Sequence, residues 1–485
     1  MSTAMPKPFC NPRRLAAIGL ALATLALVPL RPALALDLSL PDLGSPASTT
    51  LSAGEEKRIG QAMMREIRRE TTLIEDPAVN AYIRDLGARI AAASSMPAAD
   101  FRFFVIDNPR INAFAMPGGF VGVHSGLITA SRNESELGAV LAHELAHVTQ
   151  RHIARRIAAA QQSGARTAAL VLAGLLLGTQ NPQAGMAAAT TGMASNIDSQ
   201  LQYSRAHERE ADRVGVRMLA EARLAPGGMA DFFGVLADDS RYRSEPPPFL
   251  STHPLTEARI AEARALAEQL AGEAPFESPD HAYVRARLLQ RASERVEDAL
   301  TRFGARLEKD PEDRGARYGY ALALIRDKQP AAATKRLTAL LEAQGENALI
   351  YLALAEAALE AGAPQRALER LEQGLSLFPD DEALRYTEVE AWLAAERPQR
   401  AAALSERLVR ARETAPELWA LHARATGAAG EAIESIFATA RFYAVQGDLE
   451  AGLEQLRRLD DKPLSARQQS RRNALTERWQ AQIQS

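Results

Sequence analysis

Three prolines recur at a fixed interval in the C-terminal half of this sequence: Pro330, Pro364 and Pro398 stand 34 residues apart, and each opens an amphipathic stretch such as residues 364–378. A second series of helix breakers, Pro311, Gly345 and Pro379, keeps the same interval. A helix pair every 34 residues is the tetratricopeptide period. One such pair cannot bury its apolar face alone, so successive pairs must stack into a superhelix whose concave surface suits a partner. The spacing predicts a helical repeat domain over residues 280–485, with about four repeats, the first and last atypical.

Those repeats account for less than half of the 485 residues, and a chain of this length is too long for one hydrophobic core. An aromatic content of 5% beside 47% apolar residues leans toward packed helices, so the fold should be mainly α. The formal charge of -3 leaves no basic footprint. That argues against nucleic acid as a partner and against charge-driven binding to a membrane surface, while peripheral membrane association by other means stays open.

Lys7, Arg13 and Arg14 precede an apolar run from Leu15 to Leu30, and Ala33-Leu34-Ala35 offers a small-residue cleavage site. Residues 1–35 therefore read as a signal peptide and predict export. The run is shorter than the roughly 20 residues a spanning helix needs, although retention of the segment would leave a membrane-anchored enzyme. Cys10 is the only cysteine and would leave with the signal, so no disulfide is available to the mature chain. Residues 36–50 are rich in Pro, Ser and Thr and read as an extended arm.

Residues 51–272 read as a second domain. Helices are expected over 52–70 and 77–93, a strand over 101–107, and two strands within 112–128 around Pro117-Gly118-Gly119. A long helix should run from Asn133 to Ala159, followed later by helices over 199–222 and 256–270. The apolar run 168–178 and the Gly/Met-rich stretch to Asn196 read either as a cover over an active site or as a plain core helix. The strand at 112–116 could accept an extended substrate by strand addition or could be an ordinary internal strand.

Within the long helix, His143-Glu144-Leu145-Ala146-His147 sets two imidazoles one turn apart on one face, where both can reach one metal ion. An apolar helix surface would not bury these groups without partners. Glu144 points into the same pocket. A catalytic metal of the zinc type needs a third protein ligand and an open position for water. Glu208 is the candidate, with Asp212 one turn on and on the same face; His207 competes from the same turn, and Glu210 faces elsewhere. The plain alternative makes Glu208 one of 60 acidic residues at the surface. His124, His152, His281 and His422 are assigned no metal, and on a continuous helix His152 would stand about 140° around from His147.

His143–His147 together with Glu208-x-x-x-Asp212 resembles the paired motifs of the HtpX-like and prenyl-protein-processing gluzincin peptidases, and Thr252-His253-Pro254 completes the pattern. With the signal segment and the repeats, the chain from about residue 50 onward is similar to the periplasmic metallopeptidases that assist outer-membrane protein assembly. The resemblance implies a zincin-type α+β domain with a small sheet, followed by an α-solenoid. It implies one zinc ion per chain on His143, His147 and Glu208, with Glu144 as general base, Asp212 as a partner of a ligating histidine or a proton donor, and His253 as a fourth, regulatory ligand. It also implies unfolded or misassembled outer-membrane proteins as substrates, chaperone activity, and a repeat domain that holds the assembly machinery. The lack of a mature cysteine departs from that family and excludes redox control through a disulfide in the repeats. A non-enzymatic chaperone or scaffold with a latent or structural metal site is the competing class.

Overall fold

The computed structural model describes residues 52–484 apart from 97–100, 157–196, 243–245, 271, 273, 274 and 277. The signal segment and arm expected over 1–50, and the apolar run at 168–178 with the stretch that follows it, lie outside the described residues.

Helix α1 (Ala53–Glu70) starts at Ser52, whose hydroxyl accepts the Glu55 N–H while the Glu55 carboxylate accepts the Ser52 N–H at 2.8 Å. This reciprocal cap satisfies two donors that a helix start otherwise leaves free. Helix α2 (Pro77–Ala92) is capped by Asp76, which accepts from the N–H groups of Ala78 and Val79 ahead of Pro77.

A three-stranded sheet follows: β1 (Arg102–Ile106), β2 (Ala113–Met116) and β3 (Phe120–His124), in the order β1-β3-β2. β1 runs parallel to β3 and β2 antiparallel to it. β2 is thus an edge strand, not an internal one. At the intervening turn Gly118 has φ 78°, and a Cβ there would lie 2.8 Å from the Lys57 Cα, so both the backbone conformation and the packing of α1 require glycine. The second strand ends sooner than the sequence suggests. Residues 125–130 form a short helix, α3 (Ser125–Ala130), because β3 is buried on both faces and an unbroken apolar run cannot by its period tell a strand from a buried helix.

Helix α4 (Glu134–Thr149) begins where Asn133 accepts the Glu136 N–H at 2.9 Å, and it is buried on every side from Glu134 to Ala146. It packs against α2, β2 and two later helices, α5 (Ile197–Glu221) and α6 (Gly228–Tyr242). A Cβ on Gly215 would stand 3.3 Å from the His143 nitrogen, so this glycine lets α5 come close to α4 beside the histidine motif. Helices α7 (Pro248–Thr252) and α8 (Glu257–Gln269) complete this part. The expected continuation of α4 to Ala159 is not observed. The helix stops at Thr149, Arg151 takes a left-handed φ of 53°, and residues 152–156 are helical again after this turn.

The repeats pair α9 (Asp280–Arg291) with α10 (Val296–Lys309), α11 (Arg314–Arg326) with α12 (Pro330–Gln344), α13 (Ala348–Glu360) with α14 (Pro364–Leu377), α15 (Glu382–Ala394) with α16 (Pro398–Ala411), and α17 (Pro416–Ala428) with α18 (Ala432–Gln446). First helices start at 280, 314, 348, 382 and 416, so the interval of 34 holds through five pairs rather than about four. Asp313, Asn347 and Asp381 cap three of them at that same interval. The first pair is atypical in that α10 opens without a proline or a side-chain cap. α19 (Leu449–Arg457) and α20 (Ala466–Gln484) form a closing pair that keeps the interval to within one residue, with a first helix of only 9 residues.

One apolar cluster continues from Leu127, Leu137 and Leu141 beneath α4 into Tyr283 and Val284 of α9 and on through the repeats to Ala391. Arg287 of α9 adds a polar tie, bonding Asp76 at the start of α2 and both Glu356 oxygens of α13. Among the described residues no helix is long and apolar enough to cross a membrane.

Candidate metal centre

α4 presents His143 and His147 one turn apart, α5 brings Glu208 against them, and the residue after α7 is His253. One ligand atom from each of the four lies within 4.8 Å of all the others. His143 Nε2 is 3.1 Å from His147 Nε2, 3.2 Å from His253 Nδ1 and 3.4 Å from Glu208 Oε2. His253 Nδ1 is 3.0 Å from Glu208 Oε2. Donors held at 2.0–2.1 Å around a tetrahedral ion stand roughly 3.3 Å apart, so this buried set has the spacing and the chemistry of a metal centre. Glu144 Oε1 is buried with no hydrogen-bond partner among the described residues and lies 3.5 Å from His253 Nε2. The Phe249 ring stacks on His253 at 4.6 Å and 26°, and the Phe249 N–H reaches the Ile111 carbonyl just ahead of β2.

Asp212 Oδ1 lies 3.0 Å from His143 Nδ1. The aspartate is itself gripped by Arg259, whose Nε and Nη2 donate to its two oxygens at 2.6 and 2.8 Å. The same guanidinium reaches the Pro254 carbonyl at 2.8 Å and stands 3.1 Å from Glu208 Oε2. Arg259 is only 4% exposed, and the sequence reading missed it. Nothing in its local pattern separates it from the chain's 57 basic residues; the signal was that two buried carboxylates require a cation.

These contacts set the charge states. Burial alone would discharge His143, but hydrogen bonds and negative charge from Asp212 and Glu208 outweigh it and lift its pKa to about 9. Burial drives His147 well below the ordinary imidazole range despite the nearby Glu208. Burial would raise Glu208, yet the charge of His253 and the hydrogen bonds of His143 and His253 keep it well below the usual carboxylate range.

His207, the competing third ligand, stays outside this group. It lies flat on His152, with ring centroids 4.2 Å apart and planes 8° from parallel. His152 itself is not turned away from His147, as a continuous helix would require: its Nδ1 is 2.9 Å from His147 Nδ1. Its Nε2 is 3.1 Å from Glu210 Oε2. The break after Thr149 swings it back. His281 pairs with Ser131 and His422 with Ser405, while His124 ends β3; all three are away from the cluster.

Residues 77–267 match the description Peptidase family M48, and residues 358–425 match Tetratricopeptide repeat. The beta-barrel assembly-enhancing protease of Escherichia coli is 35% identical over 423 residues, which is 86% of each chain. A putative beta-barrel assembly-enhancing protease of Vibrio cholerae is 41% identical over 313 residues, 64% of this chain and 65% of that one. A mitochondrial metalloendopeptidase of Schizosaccharomyces pombe is 30% identical over 212 residues, 42% of this chain and 59% of its own. Identity sustained at this level over most of both lengths is shared descent, and the chain belongs to peptidase family M48, a metallopeptidase that carries tetratricopeptide repeats.

Proposed function

We propose that this metallopeptidase is a zinc endopeptidase of the periplasm that removes stalled or misfolded outer-membrane proteins, also chaperones them, and holds clients or assembly machinery with its repeats. The observation that carries the catalytic part is the buried Glu144 Oε1, without a hydrogen bond among the described residues and 3.5 Å from His253 of the four-donor cluster. His143, His147 and Glu208 would hold a zinc ion, which would supply a Lewis acid to polarise the scissile carbonyl and acidify water. Glu144 accepts the water proton and hands it to the leaving amine. Asp212 holds His143 in the tautomer whose Nε2 lone pair faces the site. The outer edge of β2, unpaired among the described strands, offers backbone groups to an extended substrate. His253 would take the fourth position, which a working site keeps open, so the resting centre would be closed and His253 would have to swing away before cleavage. The periplasmic assignment draws on the export signal read in residues 1–35 and on the similarity to assembly-enhancing proteases.

A closed set of four protein donors is also the mark of a structural site, which favours the alternative of a non-enzymatic chaperone or scaffold. Metal analysis of the mature chain and proteolysis of an unfolded outer-membrane protein separate the two. About one zinc per chain is expected, lost in His147→Ala; Glu144→Gln should keep zinc and fold while turnover drops by roughly 100-fold or more. Unchanged turnover in Glu144→Gln would overturn the role of Glu144, and full zinc occupancy in His147→Ala would overturn the site.

A further inference from the structure

We propose that His152 and Glu210 are positioning residues for His147, forming a hydrogen-bonded relay that sets the tautomer and ring plane of this ligand and tightens metal binding. The proposal rests on the reading of His147 as a ligand, and it assigns a task to two residues that the mechanism above leaves idle.

The tautomers follow in one direction only. If His147 offers its Nε2 lone pair to a metal, its proton must sit on Nδ1. The only group 2.9 Å from that nitrogen in the described contacts is His152 Nδ1, which must then accept and carry its own proton on Nε2. That proton points at Glu210 Oε2, 3.1 Å away, and the chain of bonds ends on a carboxylate. His143 reaches the same end directly through Asp212. A ligating imidazole whose second nitrogen is anchored to a carboxylate is held in orientation and made more basic, and loss of such an anchor typically weakens metal binding.

The backbone is bent to make this possible. Were α4 continuous, His152 would lie about 140° around the helix from His147. Instead the helix stops at Thr149, and Arg151 takes the left-handed conformation, which is unfavourable for a residue other than glycine. His207 stacks over the returned His152, and Arg155 donates to Glu210 at 3.3 Å while its Nε donates to the Gln150 carbonyl at the end of α4. Ring and carboxylate are therefore both held in place from outside the metal cluster.

The test uses the metal-stripped mature chain, with zinc affinity measured by competition against a chromophoric chelator and the ligand field read from cobalt(II) absorption. His152→Phe keeps an aromatic ring against His207 but breaks the relay; zinc should bind roughly 10- to 100-fold more weakly, with shifted cobalt bands. Glu210 lies partly exposed, so Glu210→Ala leaves the fold intact and should weaken zinc as well. Glu210→Gln should recover most of the loss, since its amide oxygen still accepts from His152. The double variant His152→Phe with Glu210→Ala should be no weaker than His152→Phe alone, because the end of a broken chain has nothing to hold. Unchanged affinity and unchanged cobalt bands in both single variants, or additive losses in the double one, would overturn the relay. His147→Ala is measured beside them: loss of zinc there with intact affinity in the relay variants sinks the relay alone, whereas retained zinc sinks the ligand reading on which it stands.

Discussion

Arg259 closes on Asp212 through two parallel hydrogen bonds of 2.6 and 2.8 Å, and Asp212 in turn stands 3.0 Å from Nδ1 of His143. A residue of α8 thus orients a histidine of α4 without touching it, and the same guanidinium holds the Pro254 carbonyl next to His253. Arg259→Gln removes the guanidinium from two buried carboxylates and leaves protonated His143 to face both. We expect about 3–5 kcal/mol of lost stability in denaturant melts of the metal-free chain. Arg259→Lys should recover little of it, since one ammonium cannot reproduce the two-pronged contact. A melt within about 1 kcal/mol of the parent would show that the pair does not support the site.

His253 should behave as a brake. It lies 3.0 Å from Glu208 through Nδ1 and 3.5 Å from Glu144 through Nε2, so it stands between the proposed third ligand and the proposed base. His253→Ala should retain zinc through the other three donors and turn over substrate severalfold faster, with more self-cleavage on gels. An equal or lower rate with zinc retained would make His253 a substrate-orienting or structural residue instead.

Proton release on metal binding should report the charge states. In the metal-free chain His143 keeps its proton up to a pH of about 9, while His147 is neutral and Glu208 ionised. Zinc binding near pH 7.5 should therefore displace about one proton, measurable by calorimetry in buffers of different ionisation enthalpy. A count near two or near zero would contradict the assignment. The same group links stability to pH. Its folded pKa lies above the unfolded value of 6.5, so its contribution is complete below pH 6.5 and is lost as pH rises through about 9. The metal-free chain should melt lower at pH 9 than at pH 6.5, and Asp212→Asn should flatten that slope.

Arg287 should join the repeats to the peptidase part energetically. It is 11% exposed and pairs with Asp76 at 2.9 Å and Glu356 at 2.7 Å, carboxylates from either side of the junction. Arg287→Met should cost about 3 kcal/mol. Because the apolar cluster is continuous across the junction, circular dichroism of the repeats and zinc release should shift together in denaturant. A shift in only one signal would mean that the two parts unfold independently.

Much of the fold was legible because the rules that decide it are short-ranged. Asp76 ahead of Pro77, Asn133 three residues before Glu136, and Gly118-Gly119 between two strands each act within one turn of chain. The one-turn spacing of His143 and His147 is likewise a property of a single helix, and the 34-residue interval needs only contact between neighbouring pairs. The end of α4 was not legible, since Thr149-Gln150-Arg151 contains neither glycine nor proline. The switch from β3 to α3 was hidden for another reason, burial on both faces.

By itself, then, the sequence determined the repeat period, the helix starts and a two-histidine face that is able to hold a metal. Tertiary structure alone decided what surrounds that face. Arg259 reaches Asp212 from 47 residues away and His253 reaches Glu208 from 45, contacts that join α8 and the end of α7 to α5 while Gly215 lets α5 lie close against α4. His152 and Glu210 meet only because α4 breaks. Such meetings depend on how separately formed elements cross, and no local period in the chain encodes a crossing.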